Sequence, residues 1–155
     1  MYNYKAYLRS ILKGIPCILA YGTASEYLGL FEGYLDNSEI EVFVEERNED
    51  LIRIGKEENI KIIQYIINSF DDKDYFDLRG LLVTTENQTI IDLIKQDEDV
   101  QNIQITLSSY YYLHNQSFND LIIPDYLLNK FNMYCEWALE YYDNWERINF
   151  IWEFM

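Results

Sequence analysis

The chain is poor in the residues that most often do chemistry. It has one histidine, His114, in 155 residues. A zinc site built on histidines is therefore excluded, and a Cys–His pair would need His114 to meet a distant thiol. The two cysteines, Cys17 and Cys135, are too few and too far apart in sequence to make a disulfide framework. They read as reduced thiols of a cytoplasmic protein. No run of eighteen apolar residues occurs, so no membrane span is predicted. The opening "MYNYKAYLRSILKG" is not followed by a signal-peptide cleavage pattern. Neither Gly-x-Gly-x-x-Gly nor a Walker pattern is present. The aspartates of "DDKDYFD" (Asp71, Asp72, Asp74 and Asp77) lack the central glycine and closing glutamate of a calcium loop, and read as a solvated loop. No cofactor and no metal is expected.

Positive charge is also scarce. Lys and Arg number 12 against 27 Asp and Glu, a formal net charge of -15. Such a chain repels nucleic acid, so direct DNA or RNA binding is not expected. Acidity of this size keeps a protein soluble, and it also steers association with a basic protein. The bias grows along the chain. From Glu98 onward the only basic residues are Lys130 and Arg147, whereas the first helical segment carries Lys5, Arg9 and Lys13.

What the chain has in quantity is apolar and aromatic side chains. It is 49% hydrophobic and 17% aromatic, with 15 Tyr. That supplies a core for one domain over residues 1–155, and aromatics to spare for a contact surface. Tyr4, Tyr7, Leu8, Ile11 and Leu12 recur at helical spacing, and Gly14 and Pro16 end that helix. "PCILAYG" reads as a buried strand. Thr23 and Glu26 stand at capping-box spacing for a helix that Gly33 would terminate. In "EIEVFVEE", Ile40, Val42 and Val44 alternate with Glu39, Glu41, Phe43 and Glu45, the pattern of a half-exposed strand. "NEDLIRIGKEE" reads as a polar connection with a short strand or helical turn. "IKIIQYIINSF" is β-branched and reads as a strand, and "LLV" as another. Thr85 and Gln88 then form a second capping box, with Ile90, Ile91, Leu93 and Ile94 as the apolar face of a helix. Helices follow from Val100 to Leu113 and, in one or two pieces, from Pro124 onward. The fold class expected is α+β: a small mixed β-sheet from the N-terminal half packed against a helical C-terminal half.

Two stretches invite a functional reading. "YGTASEYLGLFEGYLDNSEIEV" resembles the signature of minimal nucleotidyltransferases, with Gly22-Thr23 for the helix start that holds phosphate. Glu39 and Glu41 would stand for the two metal-binding aspartates. Alternate residues of a strand share a face, which is why two carboxylates there hold metals over a triphosphate. Glutamate displaces each oxygen by about one methylene, and no nearby Arg or Lys follows Thr23 to hold a phosphate.

The second resemblance covers more of the chain. "GTASEYLGL" and "GLLVTTENQTIIDLI" resemble the C-terminal domain of the AbiEi-type antitoxins of toxin–antitoxin and phage-defence pairs. The matching residues are Ala24, Leu28, Leu30, Gly80, Val83, Thr85, Glu86, Thr89, Asp92 and Leu93. Where that family carries an Arg before the Thr-apolar-apolar-Asp run, this chain has Gln88. The family's N-terminal winged helix has no counterpart before the first strand, so its operator binding does not transfer. The resemblance implies a non-enzymatic antitoxin whose partner is a protein, a nucleotidyltransferase toxin or another nucleic-acid enzyme. An immunity protein or phage inhibitor acting as an acidic decoy is the reading that needs no family relationship.

The contact surface expected on either binding reading lies in "FNMYCEWALEYYDNWERINFIW". Phe131, Tyr134, Ala138 and Tyr141 share a helix face with Trp137 beside them, a spacing that equally describes core. The residues selected for partner contact are Trp137, Tyr141, Tyr142, Trp145 and Trp152. Trp145, Phe150, Trp152 and Phe154 suit docking onto the domain, or a homodimer or partner interface.

Overall fold

The computed structural model describes residues 4–31 and 39–153, except for the side chains of residues 142 and 144–153. It forms two compact units, Met1–Thr89 and Ile90–Met155. The architecture is α+β, with a mixed sheet in the N-terminal half and helices in the C-terminal half.

The first unit opens with α1 (Tyr4–Leu12), whose Leu8 and Leu12 are fully buried. Strand β1 (Ile18–Leu19) is only two residues long but central, pairing antiparallel with β2 (Glu39–Val44) and parallel with β5 (Leu81–Thr84). Outside these lie β3 (Lys61–Ile66), parallel to β2, and β4 (Tyr75–Leu78), antiparallel to β5. The order is β3-β2-β1-β5-β4. One face of the sheet supplies Leu19, Ile40, Val42, Val44, Leu81 and Val83 to a core shared with Leu8, Leu12, Ala24, Tyr27 and Leu51. The other face gathers Ile18, Ala20 and Phe43 with the partly buried Tyr21, Tyr65 and Phe70. Phe43 is therefore buried although it shares a strand face with Glu39 and Glu41, and β2 is half-exposed only at its start.

Three elements differ from the sequence expectation. Helix α2 (Tyr21–Tyr27) begins before Thr23, and its N-cap Ala20 makes no side-chain cap. The Thr23 hydroxyl instead accepts from the Glu41 amide, so the Thr23/Glu26 capping box does not form. The helix also ends early. Gly29, at φ 81°, takes the left-handed conformation, while its amide donates to the Glu26 carbonyl and that of Leu30 to the Ser25 carbonyl. That is the Schellman arrangement, which releases the chain four residues before Gly33; Gly33 itself lies outside the described residues. "NEDLIRIGKEE" is a full helix, α3 (Glu49–Glu58). Asn48 caps its start through the Leu51 amide, Asn59 closes it at φ 54°, and Leu51 and Ile54 bury one face. Finally, the acidic loop contains strand β4, turned onto β5 by Arg79 and Gly80, both at positive φ. A two-residue hairpin with both centres left-handed matches the twist of its strands, and the glycine is what makes the second centre inexpensive.

In the second unit, α4 (Glu86–Gln96, entering from the first unit), α5 (Val100–Leu113) and α6 (Leu128–Glu153) are the helices. Asp99 caps α5 through the Asn102 amide. The segment after Pro124 is a 3₁₀ turn, Asp125–Leu127, leading into one long helix. Helices α5 and α6 pack together, with Ile103, Leu107, Tyr110, Leu127, Phe131, Tyr134 and Ala138 buried. No helix among the described residues is long and apolar enough to cross a membrane.

Candidate functional site

The region around Glu41 shows how the nucleotidyltransferase-like motif is used. Pairing of β1 with β2 brings the start of α2 beside Glu41. The Gly22 amide donates to Glu41 Oε2 at 3.1 Å, and the Tyr65 hydroxyl donates to Oε1 at 3.0 Å. Both carboxylate oxygens thus already accept a hydrogen bond from the protein. Tyr21, held at φ 49°, places its ring 5.3 Å from Phe43 and 4.7 Å from Tyr65. A left-handed tyrosine costs about 1–3 kcal/mol, and this aromatic cluster offsets part of that. Lys73 Nζ sits 4.6 Å from the Phe43 ring centre. Glu39 is separate from this network, exposed at the strand's start and 4.0 Å from Lys61 Nζ. Tyr65 was not singled out by sequence reasoning. Its only signal was its place on the strand beside β2.

Nearby, Glu26 is a half-buried carboxyl whose Oε2 has no hydrogen-bond partner among the described residues. Burial pushes it up to about 7, against a smaller lowering effect of Lys5. The unfolded chain therefore loses this proton first, between about pH 4.5 and 7, and stability falls as pH rises through that window. Glu26→Gln is expected to leave stability unchanged near pH 4.5 and to raise it by about 1 kcal/mol at pH 8, after allowing for solvent screening. Urea unfolding of both proteins at the two pH values checks this. A less stable variant at pH 8 would contradict it.

The stretch from Thr85 to Asp92 is the capped start of α4. Thr85 Oγ1 accepts from the Gln88 amide at 3.2 Å, which is one half of the expected capping box. The other half is absent, because Gln88 Oε1 accepts instead from the Asp74 amide. Thr89 is fully buried, its hydroxyl 2.6 Å from that of Thr84 and 2.8 Å from the Thr85 carbonyl it donates to. Asp92 is 2% exposed. Cys17 and Cys135 are free and buried, and burial pushes each thiol up to about 12, which leaves them poor nucleophiles. His114 stacks on Tyr110 at 3.9 Å. Among the described residues, no three His, Cys, Asp or Glu side chains come together as metal ligands.

Helix α6 divides the predicted aromatic face in two. Phe131, Tyr134 and Ala138 are core, as their spacing allowed. The Tyr134 hydroxyl donates to Asp97, which also receives Lys130 at 3.1 Å. These two donors, Tyr134 first, hold the Asp97 carboxyl below its ordinary value, and burial, then Asp97, pushes Tyr134 up to about 12. Trp137 and Tyr141 face outward, 37% and 40% exposed, so Tyr141 does not share the buried face with Phe131. The side chains of Tyr142, Trp145, Phe150, Trp152 and Phe154 lie outside the described residues. Two further exposed residues that sequence reasoning missed are Met133, one helical turn before Trp137, and Tyr126, in the 3₁₀ turn before the helix. Glu136, Glu140 and Asp143 are exposed along the adjoining side.

No family model, no curated protein and no solved structure matches this chain.

Proposed function

We propose that this chain is a non-enzymatic, antitoxin-like interaction protein that binds and neutralises a more basic protein. The observation that carries the reading is α6, where Trp137 and Tyr141 stand exposed one helical turn apart beside exposed Glu136 and Glu140. Large aromatics next to unburied acids favour a protein with a cationic, partly apolar surface. The formal charge of -15 acts in the same direction by speeding encounter with such a partner.

A second reading, a divergent nucleotidyltransferase using Glu39 and Glu41, is favoured by the closeness of Gly22 to Glu41. It requires Glu41 to exchange the Gly22 and Tyr65 hydrogen bonds for a metal, and Glu39 to give up Lys61.

The test is co-expression with each neighbouring gene whose product arrests growth. Rescue is expected, together with loss of rescue by the Trp137→Ala, Tyr141→Ala double variant at unchanged helix content. Rescue by no neighbour would count against the proposal. Mg²⁺-dependent transfer of labelled nucleotide to RNA or protein, abolished by Glu41→Ala, would replace it with the second reading. Competition with DNA or RNA for an enzyme, weakening steeply with salt, would indicate an acidic decoy instead.

A further inference from the structure

We infer that the outer face of α6, with the 3₁₀ turn before it, seats a single basic amphipathic helix of the partner, laid along Tyr126, Met133, Trp137 and Tyr141. The inference rests on reading the chain as an interaction protein and says which part of the partner is held. The four residues are 68%, 37%, 37% and 40% exposed. Met133, Trp137 and Tyr141, at successive spacings of four, lie on one stripe of α6, and Tyr126 precedes them in the 3₁₀ turn that leads into the helix. From Tyr126 to Tyr141 the line covers sixteen residues, roughly 22 Å at the helical rise. A narrow apolar line of that length matches the contact stripe of a second helix packed lengthwise.

Charge decides which helix. Glu136 and Glu140 are exposed along one border of the stripe. Lys130, between Tyr126 and Met133 in sequence, is held by Asp97 at 3.1 Å and so adds little net positive charge. A partner helix with Lys or Arg flanking its apolar face would complement this border. A second copy of the chain would set the same carboxylates along the same seam and add another charge of -15. An anionic membrane surface is disfavoured for the same reason.

The probe is an 18-residue Leu/Lys peptide with one apolar helical face. It is compared with a peptide of the same composition in permuted order and with a Leu/Glu version. Binding to the full chain is read by anisotropy of the labelled peptide, and the site by amide hydrogen exchange. The ordered basic peptide should bind at least about tenfold tighter than either control and protect amides within 126–141. Trp137→Ala with Tyr141→Ala should weaken it about tenfold or more. Glu136→Lys with Glu140→Lys should transfer the preference to the Leu/Glu peptide. Equal binding of the permuted peptide, equal binding of the acidic one, or protection elsewhere would overturn the inference. So would a concentration-dependent dimer abolished by the Trp137 variant, which would make a second copy the occupant. If the double variant loses the peptide yet still rescues a toxin, this seat is wrong and the antitoxin reading stands. If the peptide binds as described and no neighbouring gene is rescued, the seat stands and the antitoxin reading fails.

Discussion

Replacing Tyr27 by alanine is expected to destabilise the first unit by about 3–5 kcal/mol, the cost of emptying a large aromatic site in a packed core. Tyr27 is 2% exposed and lies in the same cluster as Leu8, Leu12 and the inward residues of the sheet. Its hydroxyl donates to the Leu78 carbonyl at 2.7 Å, so the side chain ties α2 to strand β4 as well as filling space. Tyr27→Phe keeps the ring and removes only that bond, and should cost about 1 kcal/mol. The comparison separates the two contributions. Equal losses in the two variants would mean that the hydrogen bond, not the ring, holds α2; a loss under 1 kcal/mol for alanine would mean that the site collapses freely. The probe matters here. All three tryptophans follow residue 136 and belong to the second unit. Unfolding of the first unit should be followed by circular dichroism or by amide exchange in β1 and β2, not by tryptophan emission.

The buried threonine pair gives the second large effect, with a distinctive sign pattern. Thr84 and Thr89 are both fully buried with hydroxyls 2.6 Å apart. Thr89→Val removes one hydroxyl and leaves that of Thr84 without this partner. The expected cost is about 1–3 kcal/mol, the desolvation penalty of a stranded polar group. Thr84→Val is not equivalent, because the Thr89 hydroxyl still donates to the Thr85 carbonyl. The double Val variant preserves shape while removing both polar groups, so it should recover most of the Thr89→Val loss. Denaturant unfolding of the four proteins forms a double-mutant cycle. Additive losses with no recovery would show that the two hydroxyls act independently, contrary to the geometry.

The same stretch shows how far sequence reasoning reaches. Thr85 as a helix cap and Ile90, Leu93 and Ile94 as buried anchors were legible because capping and helical periodicity are local. That Gln88 would serve Asp74 rather than Thr85 was not legible, because Asp74 is fourteen residues away. Thr23 repeats the lesson. Its spacing to Glu26 suits a capping box, yet a strand amide from Glu41 competes for the same hydroxyl and takes it. Helix α3 went unread for a different reason. Only Leu51 and Ile54 bury its face, so its apolar signal is thin, and the Asn48 and Asn59 caps carry the information instead. Strand β4 was hidden by its acids, because the sign of a side chain says nothing about the β-ladder beneath it.

The functional surface divides along the same line. Periodicity marked α6 as a helix with an aromatic face, because a 3.6-residue repeat is written in neighbouring positions. It did not say which aromatics would be core. Tyr134 and Trp137 are three residues apart and equally suited to burial, yet one is 2% exposed and the other 37%. Packing against α5 made that choice, and it left Met133 exposed one turn before Trp137 and Tyr126 exposed in the turn before the helix. The sequence by itself determined the composition, the acidity, the order of most strands and helices, and the α+β class, since each depends on local pattern or on sums over residues. Only the tertiary structure decided that Glu41 answers Gly22 and Tyr65, that Thr89 is sealed against Thr84, and which side of α6 meets solvent. Those outcomes depend on which groups the folded backbone brings within about 3 Å of one another: no short window of sequence holds Glu41 together with Gly22 or Tyr65, and Thr84 and Thr89, five residues apart, meet only because the strand turns into a helix between them.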